Sequence, residues 1–231
     1  ISEIDSSLVS INIPEPIGVV GAIIPWNYPL LIFMWKLAPT LATGCTIVVK
    51  PAEDTPASIL VLMEIIGKVI PKGVVNIVNG YGHEAGAALA QSPRIDKITF
   101  TGSSATGKLI MKNAADNILP TTMELGGKSP NIFMPSIADE DDAFYDKCVE
   151  GAVLFAVNQG EDCTCPSRIL VHEDIYDDFV TRVVARTKAI KQGNPFDTDN
   201  QIATQCSKTQ YDKILKYIEI DWNLLKSCEI H

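Results

Sequence analysis

Short runs of apolar, mostly β-branched residues alternate along the chain with segments whose apolar residues recur at helical spacing. The runs predict seven strands, at residues 19–24, 46–50, 74–79, 97–101, 121–124, 131–134 and 168–171. Several are apolar on both faces, as in parallel strands that helices cover on each side. The pattern predicts an α/β fold with a mostly parallel, doubly wound sheet, in which ligands bind at the carboxyl ends of the strands.

Residue types that satisfy free backbone N–H groups mark where the intervening helices begin. Proline at the first helical position and acidic residues in the first turn strengthen the signal. The predicted helices are 57–69 after Thr55 and Pro56, a helix to residue 117 after Ser103 or Ser104, one to residue 157 with 139–142 in its first turn, and one to residue 189 after Asp174.

Residues 16–35 carry no charge, and this run is long enough to span a bilayer. Pro25 and Pro29 would break such a helix, and Asn27 would be left without a partner in the membrane. We therefore expect no membrane span. The run instead predicts a buried strand over residues 18–24, a turn at Pro25–Asn27, and a buried helix. The acidic, polar start of the chain does not resemble a signal peptide.

Charge and cysteine content narrow the class of protein. A net charge of −9 and a pI of about 4.8 leave no basic surface for nucleic acid or for an anionic membrane. Six cysteines in 231 residues do not form a disulfide scaffold. No C-x-x-C pair occurs and there are only three histidines, so no metal site is expected. Reduced thiols indicate a cytoplasmic protein.

Two glycine-containing loops follow predicted strands. The first, residues 80–86, places glycines at Gly82 and Gly86 but puts Ala85 where the Rossmann fingerprint has its third glycine, so an ordinary strand-to-helix turn is the alternative. The second begins at Gly102 and satisfies G-x-x-x-x-G-K. A P-loop NTPase would need Ser or Thr next, and Leu109 disfavours that alternative. A helix that starts at Ser103 could still receive a pyrophosphate.

Three further residues carry candidate chemistry. Glu53 follows a strand that ends at Lys50, where dinucleotide sites hold ribose hydroxyls, although a solvated turn is an equal alternative. Cys163 follows a glycine-containing bend, and Glu124 ends an apolar stretch. A thiol that forms a covalent intermediate and a carboxylate that activates water would perform two-step acyl chemistry. The alternative for the cysteine is a small buried apolar residue.

Taken together and in this order, the motifs resemble those of the aldehyde dehydrogenase superfamily. They are PWN at 25–27, KPAE at 50–53, FTGS at 100–103, ELGGKSPN at 124–131 and NQGExCxxxSR at 158–168. The form of the last motif is most similar to bacterial acetaldehyde or short-chain aliphatic aldehyde dehydrogenases. The resemblance implies NAD-dependent oxidation of an aldehyde to a carboxylic acid through a cysteine thiohemiacetal and a thioester.

The resemblance also implies roles for individual residues. Cys163 would be the nucleophile, Asn27 the oxyanion donor and Glu124 the base that activates water. Glu124 argues against the CoA-acylating branch. NAD, with NADP as a possibility, would be held by Pro25, Trp26, Lys50, Glu53, Gly82, Gly86, Gly102 and Ser103. Partners would be an aldehyde substrate and, in the full-length family, further copies in a homodimer or homotetramer.

The resemblance implies a division into a part of an oligomerisation hairpin at residues 1–16, an NAD-binding domain at 17–126 and a truncated catalytic domain at 127–231. The family chain continues beyond this point, so a catalytically inactive fragment that retains a dinucleotide-binding fold is the alternative. Asp162, next to Glu161, departs from the family pattern. Two carboxylates beside Cys163 would raise the pKa of its thiol unless they point away from it.

Overall fold

A computed structural model describes residues 11–227, and the chain forms two compact units, Ile1–Leu125 and Gly126–His231. The described part of the first unit contains five strands, β1 Val19–Ile23, β2 Thr46–Lys50, β3 Val75–Ile77, β4 Lys97–Gly102 and β5 Thr121–Leu125. Its α-helices are α1 Pro29–Ala42, α2 Ala57–Ile66, α3 Ala87–Gln91 and α4 Ser104–Ala115. The predicted strands of this unit are confirmed to within two residues at each end.

The five strands form one sheet in the order β3-β2-β1-β4-β5, and all neighbours are parallel. At its centre, Gly21 of β1 pairs with Val48 of β2 and Ile98 of β4. Successive strands move outward from β1 in one direction and then, from β4 onward, in the other. This reversal creates a crevice beyond the carboxyl ends of β1 and β4.

A hydrophobic core lies on each face of this sheet, because side chains alternate between the faces along each strand. Val20 of β1 packs in one cluster with Phe33 of α1 and Ile59 of α2. Ile23 of the same strand packs in a second cluster with Ile110 of α4. Phe33 is fully buried, and its truncation to alanine would cost about 3–5 kcal/mol. Helices on both faces confirm the predicted doubly wound α/β fold.

The second unit contains a two-stranded parallel sheet, β6 Pro130–Phe133 and β7 Arg168–Val171, with helices α5 Ala143–Val153, α6 Tyr176–Lys188 and α7 Lys208–Ser227. Its core forms where the sheet meets α5 and α6. The rings of Phe133 and Phe179 lie with their centroids 4.4 Å apart, and Tyr145 packs beside them. The guanidinium of Arg182 stands 4.4 Å from the centroid of the Tyr145 ring and joins the two helices.

Two predicted helix caps are wrong. Pro56 precedes α2 directly, and the Thr55 hydroxyl instead donates a hydrogen bond to the Trp26 carbonyl at 3.3 Å. A short 3₁₀ turn precedes α6, and His172 caps it by accepting from the backbone N–H of Asp174 at 3.3 Å. The Thr55 hydroxyl is thus bound to a carbonyl from a distant part of the chain, and the backbone N–H of Asp174 is bound to His172. Neither Thr55 nor Asp174 acts as the N-cap of its helix.

Helix lengths also differ from the predictions. Helix α2 ends at Ile66, just before Gly67, and not at residue 69. Helix α5 ends at Val153 because a 3₁₀ helix, Leu154–Gly160, takes over. The acidic run lies before this helix and not in its first turn, with Asp142 as the N-cap. The periodicity of apolar residues does not distinguish an α-helix from the 3₁₀ continuation.

Two helices differ from what the sequence pattern predicts. Helix α1 was predicted to be buried, yet Leu31 and Trp35 are 45% and 60% exposed. Helix α7 was not predicted. The hydroxyl of Ser207 accepts a hydrogen bond from Gln210 N at 3.2 Å, so a Ser-x-x-Gln start was its available signal.

The predicted hairpin at residues 1–16 lies largely outside the described residues, and residues 11–16 form neither helix nor strand. None of the helices between residues 11 and 227 is both long and apolar enough to cross a membrane.

Candidate active site

The site residues predicted in the first unit lie where its parallel strands end. Lys50 closes β2, Gly102 closes β4, and Glu124 is the next-to-last residue of β5. Asn27 lies in the turn between β1 and α1. These positions share the carboxyl edge of the sheet, beside the crevice at β1 and β4.

Lys50 and Glu53 form an ion pair at this edge. Lys50 Nζ lies 2.7 Å from Glu53 Oε2, and the lysine is almost fully buried whereas the glutamate is 44% exposed. Burial opposes ionisation of Glu53, but hydrogen bonds from Lys50 and from the backbone of Glu53 and Gly82 outweigh it and lower the pKa of the carboxyl. The pair thus presents an ionised carboxylate whose side chain is partly exposed to solvent.

The first glycine loop leads into a single π-helical turn, Gly82–Gly86, which continues as α3. Its start is tied to the Lys50–Glu53 pair through the Gly82 backbone. Its end passes over the lysine stem, since a Cβ on Gly86 would stand 4.0 Å from Lys50 Cδ. The loop therefore lies directly against the pair. Such short π turns often occur at functional sites.

Ser103, one of the two residues predicted to cap α4, is its N-cap. Its hydroxyl accepts a hydrogen bond from Thr106 N at 3.2 Å and donates one to Thr106 Oγ1 at 2.9 Å. Gly102 has no room for a side chain, because a Cβ there would lie 2.6 Å from Phe100 Cζ. Gly107 lies inside the helix and donates its N–H to the Ser103 carbonyl. Because α4 already begins at Ser104, the residues after Gly102 do not form a phosphate-binding P-loop. This agrees with the presence of Leu109 where a P-loop NTPase needs Ser or Thr.

The turn Pro25–Asn27 connects β1 to α1 at the same edge. All three residues are partly buried. The carbonyl of Trp26 accepts the hydrogen bond from Thr55, which fastens the turn to the segment before α2. Ile24 N donates to the Lys50 carbonyl at 3.1 Å, so the turn begins beside the ion pair. The structure thereby brings Asn27 to the edge that also carries Lys50 and Glu53.

Lys36 is a buried charge that the sequence reasoning missed. Its Nζ donates to Thr99 Oγ1 at 2.9 Å, and only 8% of the residue is exposed. Loss of water on burial lowers its pKa to about 8, and electrostatic attraction to Glu124 opposes that change. Lys36 is the only charged residue in α1 and ends the uncharged run before it, which was the available signal. A buried ammonium is thus electrostatically coupled to the predicted base.

Cys163, the predicted nucleophile, belongs to the second unit. It is partly buried and follows the 3₁₀ helix Leu154–Gly160. Its carbonyl accepts a hydrogen bond from Gly127 N at 3.4 Å, which joins it to the segment before β6.

The two carboxylates next to Cys163 both have other partners. Asp162 Oδ1 accepts hydrogen bonds from the backbone N–H and the hydroxyl of Thr164, at 2.9 and 2.8 Å. Glu161 Oε1 accepts from Cys206 N at 2.9 Å. The pKa of Cys165 is raised, first by burial and then by Asp162, so its thiolate is disfavoured.

The first unit is thus a Rossmann-like domain whose carboxyl edge carries residue types that hold nucleotides, and the second unit presents a partly buried thiol. A profile described as the aldehyde dehydrogenase family matches residues 2–223. The chain belongs to this family.

Individual relatives agree with the family assignment. An aldehyde dehydrogenase of Vibrio cholerae is 64% identical over 219 residues, which cover 95% of this chain and 43% of that protein. Acetaldehyde dehydrogenase 2 of Cupriavidus necator is 58% identical, with 95% and 44% covered. The NAD⁺ complex of an aldehyde dehydrogenase from Bacillus cereus superposes with a TM-score of 0.82 at 43% identity, over 89% of this chain and 41% of that one. The chain therefore spans less than half the length of these relatives.

Proposed function

We propose that this chain carries the cofactor site and the reacting side chains of an NAD-dependent aldehyde dehydrogenase, which oxidises an aldehyde to a carboxylic acid. The observation that carries the proposal is the convergence of Asn27, Lys50, Glu53, Ser103 and Glu124 at one carboxyl edge of a parallel sheet. That edge is where doubly wound proteins bind dinucleotides. The Bacillus cereus relative, solved as an NAD⁺ complex, supports the choice of cofactor.

The residues at this edge fit a dinucleotide. The ionised Glu53 would accept hydrogen bonds from the adenosine ribose hydroxyls, and Lys50 would orient it and donate beside it. The N-terminus of α4 at Ser103 would receive the pyrophosphate, with Gly102 allowing close approach. Gly82 and Gly86 would border the adenosine from the π turn, and Pro25 and Trp26 would lie toward the nicotinamide half. When bound, NAD supplies the hydride acceptor that converts a thiohemiacetal to a thioester.

The protein's own side chains would perform the remaining chemistry. The Cys163 thiolate attacks the aldehyde carbon, and the carbonyl oxygen becomes an oxyanion that the side-chain N–H of Asn27 and the backbone N–H of Cys163 stabilise. After oxidation, Glu124 takes a proton from water as that water attacks the thioester carbon. The carbon–sulfur bond then breaks, which releases the carboxylic acid and restores Cys163.

The wider assignments follow from the same proposal. A short-chain aliphatic aldehyde is the favoured substrate class, supported by the form of the Cys163 motif and by the acetaldehyde dehydrogenase of Cupriavidus necator. We propose residues 17–126 as the NAD-binding domain, 127–231 as part of the catalytic domain, and 1–16 as part of an oligomerisation hairpin. A cytoplasmic homodimer or homotetramer is the expected setting of the full-length protein.

The choice of nucleophile is tested by two cysteine variants. The enzyme for this test is a full-length chimaera, in which residues 1–220 of this chain replace the equivalent part of the Vibrio cholerae relative. Cys163→Ala should abolish acetaldehyde-dependent NADH formation, because no thiolate remains to form the covalent intermediate. Cys165→Ala is the matched control and should retain much of the rate. The reverse pattern would refute the assignment.

A second candidate function is dinucleotide binding without turnover by the 231-residue chain on its own. It is favoured by the share of the relatives that this chain spans, about 43% of the Vibrio cholerae protein. Under this alternative, NAD would bind through Lys50 and Glu53, and acetaldehyde would not be oxidised. Calorimetry with NAD and a turnover assay on the 231-residue chain test this alternative, and steady oxidation of acetaldehyde by that preparation would refute it.

A further inference from the structure

The bend before Cys163 contains three consecutive residues with a left-handed backbone conformation. Asn158, Gln159 and Gly160 have positive φ angles of 49°, 59° and 76°. Residues with a Cβ avoid this left-handed region, and such residues near a reactive group persist only where their surroundings hold them there. Asn158 and Gly160 tolerate this region, and local hydrogen bonds run from Glu161 N to the Asn158 carbonyl at 2.9 Å and from Asn158 Nδ2 to the Glu161 carbonyl at 3.3 Å. Gln159 is therefore the residue of the bend whose conformation local preference does not explain.

A distant stretch of the same unit, residues 203–206, supplies hydrogen bonds to the bend. The bonds are Ala203 N to Gln159 Oε1 at 3.4 Å, Gln205 Nε2 to the Gln159 carbonyl at 3.2 Å, and Cys206 N to Glu161 Oε1 at 2.9 Å. They engage the bend both at its left-handed part and at Glu161. More than forty residues separate the partners in sequence, so folding of the whole unit is needed to form them.

Glu161 is the buried charged member of this arrangement. Only 6% of the residue is exposed, and burial raises the pKa of its carboxyl although the hydrogen bond from Cys206 opposes the change. A carboxylate is costly to bury unless donors satisfy it. It also lies two residues before Cys163, so its position constrains the path of the chain to the thiol.

The supplying stretch is itself anchored on its far side. Gln201 N and Ile202 N both donate to the Lys191 carbonyl, at 2.9 and 3.2 Å. Gln201 Oε1 accepts in return from Lys191 N at 3.0 Å. Ser207, next along the chain, caps the start of α7. Residues 203–206 thus run between two fixed points and form a firm support for the bend.

We propose that residues 203–206 hold the nucleophile bend in place and that Glu161 is the positioning residue through which they do so. Glu161 acts on Cys163 by fixing the backbone and does not touch the substrate. The inference rests on the proposed function only in naming Cys163 the nucleophile. Its structural content, that the Glu161–Cys206 bond restrains the Cys163 segment, can be measured without turnover.

The test compares three variants of the chain. Glu161→Ala removes the acceptor for Cys206 N, whereas Glu161→Gln removes the charge but keeps an acceptor oxygen. Thr181→Ala is the matched control, because it deletes one side-chain hydrogen bond within α6, to the Asp177 carbonyl, and touches neither the bend nor its support. Iodoacetamide labels each variant, and fragment-ion mass spectrometry measures the alkylation rate of Cys163, with Cys148 of α5 as an internal reference.

Glu161→Ala should speed alkylation of Cys163 by up to about tenfold, the change expected when a segment loses one hydrogen bond of local stability. Glu161→Gln and Thr181→Ala should label Cys163 at a rate close to that of wild type, and the labelling rate of Cys148 should not change. If Glu161→Gln accelerates labelling as much as Glu161→Ala does, the effect comes from lost charge and the proposal is wrong. Unchanged labelling in Glu161→Ala would also overturn it.

A second variant keeps the test decisive if Glu161→Ala does not fold. Gln205→Ala removes the bond to the Gln159 carbonyl and should accelerate Cys163 labelling in the same direction. No change in a folded Gln205→Ala protein would count against the proposal. Hydrogen exchange should show faster exchange at residues 160–164 in the same variants.

Turnover in the full-length chimaera separates failure of this inference from failure of the proposed function. Glu161→Ala should lower kcat and leave the Kd for NAD unchanged, since Lys50 and Glu53 lie in the first unit, and Glu161→Gln should restore kcat. An equal loss of kcat in both variants would contradict the positioning role. A wild-type chimaera that does not oxidise aldehydes would refute the proposed function without altering the labelling result.

Discussion

Lys36→Met removes the only charge of α1 and should stabilise the first unit near neutral pH. Burial lowers the pKa of Lys36 from 10.5 to about 8, although attraction to Glu124 opposes the change. The folded state therefore binds this proton less readily than the unfolded chain does. The destabilisation caused by burying the charged lysine is fully present below about pH 8, and it disappears as the pH rises from about 8 to 10.5.

The size of the effect follows from that shift and from one hydrogen bond. At about 1.4 kcal/mol per pKa unit, the lowering corresponds to about 3 kcal/mol of destabilisation at neutral pH. The variant also loses the bond to Thr99 and leaves a buried hydroxyl, which costs about 1–2 kcal/mol. The free energy of unfolding of Lys36→Met should therefore exceed that of the wild type by about 1–2 kcal/mol at pH 7. At a pH where lysine is neutral in both the folded and the unfolded state, the variant should be the less stable protein.

Urea denaturation at pH 7 and pH 10, followed by tryptophan fluorescence, measures this difference. At each pH the free energy of unfolding of the wild type is subtracted from that of the variant, because cysteine ionisation at high pH acts on both proteins. Lys108→Met, at an exposed position on α4, is the matched control and should change little at either pH. A Lys36→Met advantage that is absent at pH 7, or equally large at pH 10, would refute the reasoning. A confirmed gain would show that the buried ammonium of Lys36 is kept at a cost in stability.

Three further predictions concern the cofactor, the base and the length of the chain. NAD should bind more tightly than NADP, because Glu53 would face the 2′-phosphate of NADP and Lys50 only partly offsets that repulsion. Glu53→Gln should narrow the difference between the two dissociation constants, and equal binding of NAD and NADP by calorimetry in the unsubstituted chain would contradict this. In the full-length chimaera, Glu124→Gln should give a burst of NADH followed by turnover slowed on the order of 10²–10⁴-fold, because the base acts after the hydride leaves. A slow first step with no burst of NADH would show that Glu124 acts at a different step of the mechanism. The 231-residue chain alone should bind NAD weakly and turn over little, since misplacement of reacting groups by about 1 Å can cost on the order of 10²-fold; steady turnover near the rate of the chimaera would show the prediction wrong.

The strands and the edge residues could be predicted from the sequence because both depend on short-range signals. A run such as residues 46–50 is apolar on both faces, which suits a strand covered on each side, and its last residue is then at the carboxyl edge. Lys50 and Glu53 are three residues apart, so their pairing needs no knowledge of the tertiary fold. The cap at Ser103 is likewise local.

The features that were missed depend on register between distant segments. Lys36 reaches Thr99 because α1 packs against a sheet in which β4 lies beside β1, and Thr99 pairs with Ala22. The same sheet places β5 next to β4 and so brings Glu124 within electrostatic range. No local pattern specifies these neighbours. Thr55 failed as a cap for the same reason, since its hydroxyl finds Trp26 across the fold.

The most direct test of the account is to trap the acyl intermediate. Glu124→Gln in the full-length chimaera would be mixed with NAD and acetaldehyde, quenched during the slow phase, digested, and sequenced by mass spectrometry. The account predicts an acetyl group on Cys163 that is absent when NAD is omitted, because the thioester forms only after oxidation and then waits for a base. An acetyl group on Cys165, or on no cysteine while NADH still accumulates, would contradict the central claim.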